Sequence, residues 1–104
     1  MSTYKLMMSI PAVNDLQEIS RYIAKELQEP ETAEKLIARF KRTVMSLSEL
    51  PTRYPCVTDR YLASLGIRRI VVDHYLVFYL IHKEKRVVSI IRILYGKRNW
   101  EHLL

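Results

Sequence analysis

The stretch YLVFYLI, residues 75–81, limits the folds open to this chain more than any other feature. It is rich in aromatic and β-branched residues and ends near a charged turn, which predicts a strand. Side chains alternate across a strand, so Leu76, Phe78 and Leu80 share one face and Tyr75, Val77, Tyr79 and Ile81 share the other. Both sets are apolar. A sheet that leaves one face in water normally alternates apolar with polar residues. This strand therefore requires cover on both sides.

The neighbouring segments supply the sheet. IRRIVVD (67–73) and RVVSIIRILY (86–95) flank the central run, with His74 near one turn and Lys83-Glu84-Lys85 near the next. This pattern predicts a three-stranded antiparallel meander. An opening strand is expected over Tyr4–Ile10.

Two helices are expected between. Pro11 suits a first helical turn, and Val13, Leu16, Ile19, Ile23 and Leu27 follow at helical spacing. Pro30 restarts the chain. Ala33, Leu36, Ile37, Phe40, Val44, Leu47 and Leu50 then form one stripe, which Pro51 ends. The short link predicts an antiparallel hairpin. Residues 51–65 read as a Pro-containing loop with room for one short strand. The expected fold is a single α+β domain over residues 1–104, ordered β-α-α-β-β-β, with the helical hairpin on one face of a small antiparallel sheet.

Two helices cover one face. The C-terminal tail, a second copy or a partner chain can shield the other, or the sheet can curl so that the tail and loop 51–65 close it. Tyr75, Val77, Tyr79 and Ile81, with Trp100, Leu103 and Leu104 of the tail, are the candidate partner-binding residues.

Charge narrows the partners. The chain carries 17 Lys and Arg against 11 Asp and Glu, a net charge of +6. That balance suits nucleic acid, the ribosome, an acidic protein or an anionic surface, and equally a merely basic binding module. Arg68, Arg69, Arg92 and Lys97 are the candidate phosphate-binding residues, at strand positions or just past the strand exit. Arg98 is the candidate transition-state stabiliser, and Tyr95 or Tyr79 could stack on a base or relay a proton. Such a set can cleave RNA without a metal; it can also only bind.

Other chemistry is sparse. His74, His82 and His102 have no metal-ligand spacing with Cys56 or with carboxylates, so neither a metal nor a cofactor is expected. Asp15, Glu18 and Glu26 read as a solvated helix face. Cys56 is the one cysteine, which fits a reducing cytoplasm. MSTYKLMMSIPAVNDL lacks the apolar run of a signal peptide, and no stretch reaches the roughly 18 apolar residues of a membrane span. A cytoplasmic protein is the expectation.

Taken with DLQEISRYIA, PETAEKLIARF and SLSELP, the segments IRRIVVDHYLVFYLI and RVVSIIRILYGKRNWEHLL resemble the RelE/ParE superfamily of toxins from bacterial type II toxin–antitoxin modules. The resemblance covers nearly the whole chain. It implies a cognate antitoxin that wraps and neutralises the toxin. It also implies one of two actions: RelE-like members cut mRNA in the ribosomal A site, and ParE-like members inhibit DNA gyrase without being nucleases. Arg98, in GKR, matches a catalytic arginine of the nucleases. Tyr75 stands where those enzymes have another arginine, and Leu104 falls near their C-terminal tyrosine. The leucine-rich ending resembles the ParE style. The ribonuclease reading leads slightly, on Arg98, the basic strand residues and the tyrosines.

Overall fold

A computed structural model describes residues 3–97, 100, 103 and 104. Arg98, the candidate catalytic arginine, lies outside the described residues. Four strands, β1 (Lys5–Met8), β2 (Arg68–Val72), β3 (Tyr75–His82) and β4 (Val87–Tyr95), form one sheet in the order β1-β4-β3-β2. Helices α1 (Ile10–Arg21) and α2 (Pro30–Ser46) form the expected hairpin against it.

β2, β3 and β4 make the antiparallel meander. β1 departs from expectation: it pairs parallel with β4, so the sheet is mixed. A parallel neighbour needs a crossover. Here α1, α2 and the first two meander strands provide it.

Ser9 sets the start of α1. Its Oγ accepts from Ala12 N at 3.1 Å and donates to the Ile91 carbonyl at 2.8 Å. One hydroxyl thus caps the helix and ties it to β4. The helix widens into a π turn over Tyr22–Glu26. Gln28, in the left-handed region at φ 53°, leads to Pro30 and α2. α2 stops at Ser46, ahead of Pro51. Ser46 Oγ bonds back to the Thr43 carbonyl, and the Ser48 carbonyl accepts from Tyr4 N in the chain leading to β1. The stripe keeps Ala33, Leu36, Phe40 and Leu47 buried but leaves Leu50 70% exposed.

Segment 51–65 holds more structure than a loop. A 3₁₀ turn (Pro51–Arg53) precedes a bridge between Cys56 and Arg68, and then comes α3 (Arg60–Ser64). Asp59 caps α3 by accepting from Leu62 N.

The two sheet faces have separate cores. Under the hairpin, Val77, Tyr79, Val88, Ile90 and Ile93 pack with Ala12, Ile23, Leu36 and Phe40. On the opposite face Leu76, Phe78 and Leu94 pack with Val57, Leu62, Ile67 and Trp100, and Leu103 and Leu104 add to it. Loop 51–65 and the tail therefore close the second face within a single chain. This reverses the assignment of faces made from alternation. Tyr75, Val77, Tyr79 and Ile81 pack on the helix side, and Val77 and Tyr79 are fully buried there, closed to any partner. Leu76, Phe78 and Leu80 meet the tail.

Candidate functional site

The basic residues are arranged by a bulge in β4. Tyr79 pairs with Ile90 and Phe78 with Arg92, so Ile91 is the extra residue. Strict alternation from Ile90 would aim Arg92 at the helices. The bulge turns it to the tail face beside Leu94. Arg69 also pairs with Phe78, across β2. Arg69, Phe78 and Arg92 thus form one row across three strands, with the two arginines about 10 Å apart at the backbone by normal strand spacing. The Trp100 ring packs over Phe78 at 4.9 Å between centroids.

Arg92 is bound within the protein. Asp15 accepts from its Nε at 2.7 Å and from its Nη2 at 2.8 Å, in the two-point geometry of a guanidinium–carboxylate pair. The same carboxylate accepts from Ile93 N at 3.0 Å. β1 stops opposite Ile90, so the outer edge of β4 beyond it needs another partner, and α1 supplies Asp15. The third contact of Arg92 runs from Nη1 to the Leu103 carbonyl at 3.1 Å. The Asp15 hydrogen bond raises the Arg92 pKa further. Asp15 is thus no part of a solvated face. The 77-residue separation of the pair hides it from helical periodicity.

Arg68 is on the other face. It pairs with Tyr79 across β2–β3, and its Nη1 donates to the carbonyls of Tyr54 and Thr52. The Tyr79 hydroxyl donates to the Pro51 carbonyl at 2.7 Å. Burial pushes this phenol up to about 12, which removes it from proton transfer near neutral pH. The sign of the linkage is clear. The folded pKa lies above the unfolded value near 10, so the contribution is intact below pH 10 and is lost as pH rises towards 12. Urea titrations of the protein and of Tyr79→Phe should show the drop between those pH values flattened in the variant.

Tyr95 is separated from Arg92 as well. It lies on the helix side, paired with Tyr75 at 5.7 Å between ring centroids. Lys97 is exposed just past the exit from β4. Gly96 makes that exit possible. A Cβ there would stand 3.1 Å from the His74 carbonyl, which already accepts from Gly96 N. The candidate phosphate-binding and catalytic residues are thus split between two faces. Arg69 and Arg92 share the tail face with Trp100, while Arg68, Tyr79 and Tyr95 lie on the other side.

Among the described residues, no group of three or more His, Cys, Asp or Glu side chains is placed to hold a metal ion. None of the described helices is long and apolar enough to cross a membrane.

A family model described as the ParE toxin of the type II toxin–antitoxin system parDE matches residues 6–100. No curated protein matches the chain. Among solved structures, a chain of the chromosomal ParDE toxin–antitoxin system of P. aeruginosa superposes with a TM-score of 0.75 at 17% identity. That match covers 93% of this chain and 100% of the other. A chain of the RelBE2 toxin–antitoxin complex of Mycobacterium tuberculosis gives 0.64 at 22% identity, covering 91% and 93%. The archaeal RelE–RelB complex of Pyrococcus horikoshii OT3 gives 0.57 at 17%, covering 92% and 98%.

Proposed function

We propose that this chain, which belongs to the ParE toxin family of type II toxin–antitoxin systems, arrests growth in the cytoplasm by binding DNA gyrase, not by cutting RNA. A cognate antitoxin neutralises it. Two of the similar folds come from structures named as toxin–antitoxin assemblies, the ParDE system and the RelBE2 complex, which supports an antitoxin partner.

The Asp15–Arg92 pair carries the preference for binding over cleavage. A nuclease that works by charge stabilisation needs cations free to meet a developing phosphorane charge. Arg92 spends its guanidinium on Asp15 and on the Leu103 carbonyl. Arg68 is held by two carbonyls, and the Tyr79 hydroxyl is committed to Pro51. Tyr95 stands on the far side of the sheet from Arg92. These groups do not converge on one reacting atom. The ribonuclease reading retains Arg69 and Lys97 near the tail, with Arg98, and one experiment separates the two.

The chain is induced in a bacterium carrying a reporter plasmid, with primer extension on cellular mRNA. Growth should stop, the plasmid should lose negative supercoils, and no new 5′ ends should arise within codons. Co-expression of the antitoxin encoded beside the toxin should restore growth. Cleavage within codons that disappears with Arg98→Ala would overturn the gyrase reading.

A further inference from the structure

On the helix side, away from the tail face, a cleft of about 550 Å³ opens between α1 and the ends of β3 and β4. It is lined by Glu18, Ile19, Tyr22, Leu27, Tyr75 and Tyr95. Three local features build it. The π turn begins at Tyr22, and such wide turns recur at functional sites. The register of β3 and β4 places Tyr75 directly opposite Tyr95, with rings edge to face at 68°. Phe40 of α2 meets Tyr75 edge on from below at 5.7 Å, which fixes that ring in place. Tyr22 and Tyr95 remain 54% and 43% exposed, so aromatic surface on both sides of the opening is available.

Three tyrosines and one carboxylate in a cleft define a ligand chemistry. The ring faces are negative in their quadrupole and attract a cation. Glu18 adds a full negative charge and repels phosphate. Arg21, Lys25 and Glu26 line the neighbouring groove, outside this lining. Ile19 and Leu27 supply apolar surface for an aliphatic stem. Of the common cationic side chains, arginine fits best. Its planar guanidinium stacks on a tyrosine face while its fork meets a carboxylate.

We propose that the cleft formed by Glu18, Tyr22, Tyr75 and Tyr95 is an aromatic cage that takes an arginine side chain presented by a partner polypeptide. The cage lies on the opposite side of the sheet from the arginine row. An arginine entering it anchors the partner at one point and leaves the tail face uncovered.

The test reads binding directly, without toxicity. Tyrosine ring resonances of the full chain are followed by NMR during titration with N-acetyl-arginine methylamide. The citrulline and lysine analogues serve as the uncharged and non-planar arms. The rings of Tyr22, Tyr75 and Tyr95 should shift together, saturably, in the millimolar range. The citrulline analogue should bind about tenfold more weakly or not at all, and the lysine analogue more weakly than arginine. Glu18→Gln should weaken binding severalfold with an unchanged amide spectrum. Tyr22→Leu, at an exposed position, should abolish it. Absence of saturable shifts overturns the cage. Equal binding of citrulline, equal binding of lysine, or indifference to both substitutions overturns the arginine assignment.

Discussion

Asp15→Ala should lower the unfolding free energy by about 3 kcal/mol, the cost of leaving a partly buried charge without its partner. The carboxylate is 11% exposed and the Arg92 side chain 22%, so solvent screening is limited. The loss has three parts. Arg92 loses two charge-assisted bonds, Ile93 N loses its acceptor at the edge of β4, and the contact from Arg92 to the Leu103 carbonyl loses its orientation. Urea denaturation measures the total. Trp100, the one tryptophan, reports the tail, and its emission should shift to the red at urea concentrations where the helical circular dichroism remains. Glu18→Ala, one turn further along α1, should change stability by less than about 0.5 kcal/mol. Asp15→Ala combined with Arg92→Leu should recover much of the loss, because no unpaired charge remains. An Asp15→Ala cost as small as that of Glu18→Ala would show that the pair is not holding the edge.

Phe78→Ala should cost about 3–5 kcal/mol, as for other buried aromatic truncations. Phe78 is fully buried, faces Trp100 at 4.9 Å, and forms the middle of the Arg69–Phe78–Arg92 row. Its removal opens a void under the indole and exposes apolar surface that Val57, Leu62 and Trp100 now share with it. Thermal unfolding gives the stability change, and Trp100 emission gives the detachment of the tail. Val71→Ala, at a position 63% exposed on β2, should have little effect on either. A Phe78→Ala protein with wild-type melting and emission would mean that the tail does not close this face in solution.

Much of this architecture was legible in the sequence. The apolar character of both faces of residues 75–81 demanded two covers, and the chain supplies two. The order of elements and the meander follow from composition and spacing. What sorted wrongly was the identity of each face. Alternation divides residues into two sets but does not say which set meets the helices, and here Tyr75, Val77, Tyr79 and Ile81 do. The parallel pairing of β1 was hidden as well, because four residues carry no mark of their partner's direction.

The candidate site was less legible, for one physical reason. Its arrangement depends on contacts distant in sequence and on one extra residue. The bulge at Ile91 turns Arg92 to the tail face, and no periodicity signals a bulge in a strand with apolar residues on both faces. Asp15 lies at a polar helical position, which periodicity assigns to solvent, yet it serves as the edge partner of β4. Tyr79 belongs to an aromatic set that suggested catalysis. Its hydroxyl instead satisfies the buried carbonyl of Pro51. Four groups that looked like a phosphate-handling set, Arg68, Tyr79, Arg92 and Tyr95, thereby fall to two faces of the sheet, and three of them are held by internal hydrogen bonds.

The proposed occupation of gyrase is tested most directly by a supercoiling assay with purified gyrase, relaxed plasmid and increasing toxin, run beside programmed ribosomes carrying a defined mRNA. The expected result is dose-dependent loss of supercoiling at micromolar toxin, reversed by the antitoxin, with the mRNA intact. Unchanged supercoiling together with mRNA cut in the ribosomal A site would contradict it.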